Sequence, residues 1–249
     1  MNTRLCLIGY GKMGQMIEGL AASYGCEVVS RIDPHHCDCS KEISPESLKD
    51  AEVCIDFSHP SVVLKNIKQL THLAKPLVVG TTGWNAHLEE VKDWVKQFDT
   101  ALLYGANFSI GMNLFTRLVA DAARLFDRFD HYDIYGLELH HNQKADSPSG
   151  TAIELSKLLL QNISRKSNAL YDPAYRRIEP HELHFASIRA GSIPGTHTIG
   201  FDSEADTIEL THRARSRSGF AAGALQAARW IKDRKGCYSI NDMISELIC

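Results

Sequence analysis

Two histidines and a lysine, His140, His141 and Lys144, fall within five residues, just ahead of the turn Ser149-Gly150-Thr151. An imidazole titrates near neutrality and can exchange protons; an ammonium group offsets negative charge that develops during a reaction. Thr151 and Glu154 have the T-x-x-E spacing of a capping box, which predicts a helix start there. The positive end of that helix would present backbone and hydroxyl donors to an anion. Together the segment predicts a carboxylate receptor beside two proton-exchanging groups. A solvated basic loop is the plain alternative, since a lone histidine is more often structural than catalytic.

A second pattern lies near the N-terminus. Gly9-Tyr10-Gly11-Lys12-Met13-Gly14 is a G-x-G-x-x-G that follows an apolar run and opens an amphipathic stretch. In that context the glycines permit a tight turn and let backbone N–H groups approach a pyrophosphate. Asp33 falls 19 residues beyond Gly14, where a carboxylate can accept from adenosine ribose hydroxyls. That favours NADH, while Lys12 and Arg31 could pair with a 2′-phosphate and keep NADPH open. Loops at Asp56-Phe57-Ser58-His59-Pro60, Gly80-Thr81-Thr82-Gly83 and Gly105-Ala106-Asn107-Phe108-Ser109 follow further apolar runs. Ligands bind outside the carboxyl ends of parallel strands, so Gly80, Thr81, Thr82, Gly105, Ala106, Asn107 and Phe108 are further candidate cofactor residues.

The elements that must position these groups follow from periodicity. Short continuous apolar runs, such as Leu5–Ile8, Val53–Ile55, Leu77–Val79 and Ala101–Tyr104, alternate with amphipathic stretches at residues 13–24, 62–73 and 87–97. This is the rhythm of an α/β chain with a Rossmann-type doubly wound parallel sheet. From about Asn113 the rhythm changes to a long helix (114–126), a strand (132–139), a helix (152–162) and extended segments at 184–190, 195–201 and 207–211. These predict an inserted α+β domain with a mixed or antiparallel sheet. Two closing helices, 221–232 and 240–247, are expected to return to the first domain. The boundaries read as 1–111 with 217–249 for dinucleotide binding and 112–216 for substrate binding and oligomerisation.

Composition narrows the function classes. With 249 residues, 44% hydrophobic and 23% charged, the chain has ordinary globular make-up. A net charge of −3 gives no electrostatic reason to expect nucleic acid or an anionic membrane. No apolar run approaches the ~18 residues of a spanning helix, and the N-terminal run is too short for a secretory signal, so a cytoplasmic protein is expected. Seven scattered cysteines argue against a disulfide framework. The cluster His35-His36-Cys37-Asp38-Cys39 lacks C-x-x-C spacing and a second ligand pair, so it reads as a polar loop and no metal is expected.

The segment Glu138 to Ala152 matches in full the pattern E-x-H-H-x-x-K-x-D-x-P-S-G-T-A of the 4-hydroxy-tetrahydrodipicolinate (dihydrodipicolinate) reductases of lysine biosynthesis, and the chain resembles that family. The resemblance continues through Arg189-Ala190-Gly191, Gly195-Thr196-His197, Glu209-Leu210-Thr211-His212, Ser216-Arg217 and Phe220 to Ala224. It implies NAD(P)H-dependent hydride transfer to ring C4 of a cyclic dicarboxylate, with His140 as acid/base and Lys144 as proton donor. His141, Ser149, Gly150 and Thr151 would hold the carboxylates, and Arg217 would add a clamp. It also implies a homotetramer paired through the second-domain sheet. The glycine loop is one residue shorter than the common family version, which leaves the choice of cofactor open. Competing readings are another two-domain Rossmann dehydrogenase, for which this carboxylate cradle has no use, and a non-catalytic nicotinamide-sensing module, for which His140, His141 and Lys144 have none.

Overall fold

A computed structural model of the chain describes residues 2–171 and 173–248. It divides into two compact units, Met1–Ile110 with Ser218–Cys249, and Gly111–Arg217.

The first unit opens with β1 (Thr3–Ile8), α1 (Lys12–Ala21), β2 (Cys26–Ile32) and a four-residue α2 (Pro45–Leu48). It continues with β3 (Val53–Asp56), α3 (Pro60–His72), β4 (Leu77–Val79), α4 (Leu88–Gln97) and β5 (Ala101–Tyr104). The second unit contains α5 (Ile110–Phe126, whose first residue ends the first unit), β6 (Asp133–His140), α6 (Gly150–Asn162), β7 (Asn168–Leu170), β8 (Glu182–Arg189), β9 (Thr196–Asp202) and β10 (Thr207–Arg213). The chain then returns to the first unit as α7 (Ser218–Ile231), β11 (Gly236–Ser239) and α8 (Ile240–Leu247).

In the first unit, six strands among the described residues form an all-parallel sheet in the order β11-β5-β4-β3-β1-β2. Both faces are buried, as the continuous apolar strands predict. Leu5 and Leu7 of β1 point to one side with Ile17, Ala224, Leu225 and Ile231, while Cys6 and Ile8 point to the other with Val63, Ile67 and Val91. The run of small residues in α7 allows close approach: a Cβ on Gly223 would lie 1.7 Å from the Phe108 carbonyl oxygen. The strand order reverses between β1 and β3, which is where a doubly wound sheet opens a ligand crevice.

In the second unit, five described strands form a mixed sheet, β10-β9-β6-β8-β7, in which β6 is parallel to β8 and antiparallel to β9. Helices α5 and α6 cover one face through Phe115, Val119, Leu155 and Leu159 against Ile134, Phe185, Ile199 and Phe201. Three short elements, α2, β7 and β11, lie outside the periodic stretches. The six described cysteines are all free thiols, and Cys249 lies outside the described residues. No described helix is long and apolar enough to cross a membrane.

Candidate active site

Strand β6 is central in the second sheet, and its alternation is the key to the site. Ile134, Gly136, Glu138 and His140 share the helix-covered face, so that face passes from apolar to ionisable within four residues. Register adds partners from neighbouring strands. Glu138 is flanked by Ser187 of β8 and His197 of β9; His197 lies opposite His212 of β10; His140 lies beside Arg189. The result is a polar row across four strands, directly beyond the apolar row of Phe185, Gly136, Ile199 and Leu210.

Glu138 is fully buried, and its two oxygens have different company. Oε1 accepts from the Ser149 N–H (2.8 Å), the Ser187 hydroxyl (2.7 Å) and the Arg189 guanidinium (2.9 Å). Oε2 faces His140 Nδ1 at 3.0 Å and His197 Nε2 at 3.7 Å, both short of hydrogen-bond alignment. Burial alone would raise the carboxyl pKa, but the donors from Ser149, Ser187 and Arg189 outweigh it and hold it down at about 2. Glu138 is therefore an anion set among imidazoles. Burial depresses the His140 pKa and the Lys144 and Arg189 charges reinforce that, while Glu138 opposes it. Burial also pushes His197 down to about 4, with His140 adding to it, so His197 stays neutral at physiological pH. The two rings meet edge to face, with centroids 5.2 Å apart.

The loop after β6 is tied down at both ends. Ala190 N–H donates to the His140 carbonyl (2.9 Å), Asn142 N–H to the Gly191 carbonyl (3.2 Å), and Arg189 to the Asp146 carbonyl (2.7 Å). Lys144 reaches Asp146 at 2.8 Å and keeps its side chain 24% exposed. The cap of α6 differs from the sequence expectation. The N-cap is Ser149, whose hydroxyl accepts from the Ala152 N–H at 3.2 Å, and Thr151 sits inside the first turn. Ser149 wins because its extended backbone (φ −68°, ψ 156°) turns its side chain back over the turn, whereas Thr151 is already helical. The cap shift leaves the Gly150 and Thr151 N–H groups without intrahelical partners, and a Cβ at Gly150 would meet nothing within 4 Å. The helix end therefore presents donors to open space. Of the remaining candidates, His141 is half-buried and Arg217 is exposed.

The first unit holds the other candidate residues. Beyond the carboxyl ends of β1, β2 and β3 lies a cavity of about 570 Å³, whose lining includes Gly9, Gly11, Asp33, Ser58, His59 and Lys65. Gly9 has φ +85°, and a Cβ on Gly14 would lie 2.4 Å from the Gly9 carbonyl oxygen, so the fold itself requires both glycines. At Gly11 a Cβ would meet nothing within 4 Å, so the space beside it is open and packing alone does not require a glycine there. Asp33 accepts from the Tyr10 and His35 N–H groups, each at 2.8 Å. These donors overcome the effect of its burial and hold its pKa below the ordinary carboxylate value. Arg31 is taken up by Glu18, which also accepts from the Tyr10 hydroxyl. This corrects the expectation that Arg31 is available to a 2′-phosphate; Lys12, in contrast, is exposed.

Asp56, at the end of β3, is a fully buried carboxylate that ties three segments together. Its Oδ1 accepts from the Ser58 N–H (3.0 Å) and hydroxyl (2.7 Å) and from the Thr81 hydroxyl (2.7 Å), and Oδ2 accepts from Asn66 (2.9 Å). Thr81 is thereby engaged, while Thr82 and Ala106 are exposed beside a smaller cavity of about 170 Å³ that Thr81, Gly105 and Ser239 also line. Phe108 is 1% exposed and packs into the core, its ring 6.0 Å from that of Phe57. Asn107 caps its own turn by accepting from Ser109 N–H at 2.9 Å. The His36-Cys37-Asp38 loop brings three donor atoms within 4.8 Å of one another, but all come from adjacent residues of one loop, two of them exposed.

Sequence reasoning placed no function on Glu138, Ser187, Arg189 or His197, and read Asp56 only as part of a loop facing the cofactor. The available signal was the alternation Ile134, Gly136, Glu138, His140, which puts a carboxylate where a strand should be apolar.

Family models described as the N-terminus and C-terminus of dihydrodipicolinate reductase match residues 3–108 and 111–244. A 4-hydroxy-tetrahydrodipicolinate reductase of Christiangramia forsetii is 38% identical, over 98% of both chains. One from Staphylococcus aureus is 37% identical over 96% of this chain and all of its own. Among solved structures, a dipicolinate-bound dihydrodipicolinate reductase from Paenisporosarcina sp. TG-14 superposes with a TM-score of 0.78 at 21% identity, over 98% of this chain and all of that one. An engineered D-amino acid dehydrogenase bound to NADP+ shares the fold more distantly, at a TM-score of 0.54 and 13% identity over 97% of this chain and 94% of that one. With both halves matched and two near-full-length relatives above 30% identity, the chain belongs to the dihydrodipicolinate reductase family.

Proposed function

We propose that this protein reduces 4-hydroxy-tetrahydrodipicolinate to tetrahydrodipicolinate with NAD(P)H, in the route to diaminopimelate and lysine. The observation that carries this reading is the conjunction, in one cluster, of His140, Lys144 and an open α6 N-terminus. A ring bearing two carboxylates has a use for all three, whereas a substrate without a carboxylate has none for the anion-binding helix end. In this reading residues 1–111 with 217–249 bind the dinucleotide and 112–216 bind the substrate.

The cavity fits a dinucleotide: Gly11 leaves room for a pyrophosphate and Asp33 offers a carboxylate at the end of β2. Gly9 to Gly14 would hold the pyrophosphate, Asp33 the ribose, and Gly80, Thr81, Thr82, Gly105, Ala106 and the backbone of Asn107 and Phe108 the nicotinamide half. When bound, the nicotinamide supplies the hydride. Asp33 favours NADH, because a 2′-phosphate would face its charge; Lys12, Lys41 and Lys65 are the cations available to NADPH.

On the substrate side, the Gly150 and Thr151 N–H groups, with the α6 dipole behind them, hold one carboxylate. His141, with Arg217 as a second clamp, holds the other. Water leaves C4 of the hydroxylated ring; a hydride enters at C4 and one proton completes the reduction, so that NAD(P)+, water and the reduced ring are the products. Lys144 donates the proton or offsets the charge that develops on the ring, and His140 exchanges protons with it. The uncovered face of the mixed sheet, including Tyr135, Leu137 and the 44%-exposed Ile188, is where we place self-association into a tetramer. Oxidation of NADH in the presence of freshly made 4-hydroxy-tetrahydrodipicolinate tests the activity. Tight cofactor binding without turnover would overturn it in favour of a sensing module.

A further inference from the structure

Glu138 takes no part in the chemistry described above, yet it is a fully buried anion touching the group that does. One oxygen is fastened to the scaffold by three donors, the N–H of Ser149 at the cap of α6 and the Ser187 and Arg189 side chains of β8. The other is left for the imidazoles of His140 and His197. We propose that Glu138 is a positioning residue that fixes the tautomer of His140, holding the hydrogen on Nδ1 so that Nε2 alone exchanges the proton.

A neutral imidazole has one N–H and one lone pair. With Nδ1 only 3.0 Å from a carboxylate oxygen, a lone pair on that nitrogen would face a negative charge, whereas an N–H faces it favourably. The lone pair is thus driven to Nε2, where a proton is taken up or released. The surroundings of Nε2 agree. A Cβ on Gly195 would lie 3.0 Å from it, and Gly195 has φ +149°, a conformation that side-chain-bearing residues rarely adopt. Glycine there keeps the space beside the working nitrogen open. The charged and titratable groups around the ring are Glu138 on β6, Arg189 on β8, His197 on β9, and Lys144 and Asp146 on the loop. Glu138 is the group that touches Nδ1. His197 stays neutral and packs edge-on, so it adds shape without a competing charge.

The inference rests on the reading of His140 as the proton-exchanging residue, but part of its test needs no turnover. In the whole chain labelled with ¹⁵N-histidine, with His140→Gln used to assign the resonance, neutral His140 is expected as the Nδ1–H tautomer. An Nε2–H tautomer in the wild type overturns the proposal whatever the enzyme reduces. Glu138→Gln sharpens it. The amide oxygen can keep the donors of Ser149, Ser187 and Arg189, and its NH₂ then points at Nδ1, which must accept. The expected result is inversion to the Nε2–H tautomer and a fall in kcat of roughly 10³-fold, with the NADH dissociation constant unchanged. An unchanged tautomer, or a kcat within about threefold of wild type, overturns it. Should that variant not fold, the wild-type resonance still decides.

Discussion

Replacing Asp56 separates the scaffold of the cofactor loops from their chemistry. The carboxylate is fully buried and accepts four hydrogen bonds, from Ser58 N–H and hydroxyl, Thr81 hydroxyl and Asn66. Asp56→Ala strands all four donors. Those of Ser58 and Asn66 are part-buried and can recruit water; the Thr81 hydroxyl is buried and cannot do so readily. A stranded buried donor costs about 1–3 kcal/mol and a partly wetted one less, so the expected loss of stability is about 3 kcal/mol. Against a usual total of about 5–15 kcal/mol, that is substantial. Asp56→Asn keeps an oxygen toward Ser58 and Thr81, but turns an NH₂ toward the Asn66 NH₂. If Asn66 flips, the charge assistance and the 3.3 Å hydrogen bond from Asn66 to the Ser58 hydroxyl are lost, about 1–2 kcal/mol together. Urea unfolding measures both losses, and fluorescence titration measures NADH affinity. The alanine variant should bind NADH more weakly because Ser58 lines the 570 Å³ cavity and Thr81 the 170 Å³ one. A loss below about 1 kcal/mol for alanine, or equal losses for alanine and asparagine, would refute the argument that this carboxylate organises the loops.

Lys144→Ala should lower kcat by at least about 2 kcal/mol of transition-state stabilisation, with cofactor affinity intact; wild-type turnover in steady-state assays removes Lys144 from the mechanism. His141→Ala and Thr151→Ala should mainly raise KM for the dicarboxylate, and a fall in kcat alone would contradict their binding role. Asp33→Ala should weaken NADH more than NADPH, judged from parallel kcat/KM values; equal losses would show that Asp33 serves the turn through Tyr10 and His35 and not the ribose. The folded pKa of His197, about 4, lies below its ordinary 6.5, so the unfolded chain binds more protons between those values. That stability is complete above pH 6.5 and is lost as pH falls to 4, and Glu138, at about 2 against 4.5, adds a second loss below pH 4.5. The urea midpoint should therefore drop on acidification and drop less in His197→Gln; parallel curves would be inconsistent with a buried neutral imidazole.

What could be read in the sequence depended on whether the cause was local. Strand β4 and helix α8 fall where their apolar patterns put them, and the sheet order follows because continuous apolar strands joined by helices have few other packings. The missed β11, Gly236–Ser239, has no apolar run; it is a strand because its backbone pairs with β5 across more than a hundred residues. Likewise β7 is only half-buried, and its strand character comes from β8. The helix cap was misplaced by two residues because both Ser149 and Thr151 are competent caps, and only the backbone dihedrals choose between them.

The same division runs through the site. His140, Lys144, Ser149 and Thr151 were visible because they are contiguous, and contiguity is all that a motif records. What sets their chemistry is not contiguous. Ser187 and His197 arrive at Glu138 by register across β8 and β9, and Arg189 arrives beside His140 by the same pairing. A slip of one residue in β9 would carry His197 to the opposite face while leaving every motif intact. The candidate histidine can therefore be read along the chain, but its surroundings, and with them its tautomer and its pKa, depend on how the strands are paired.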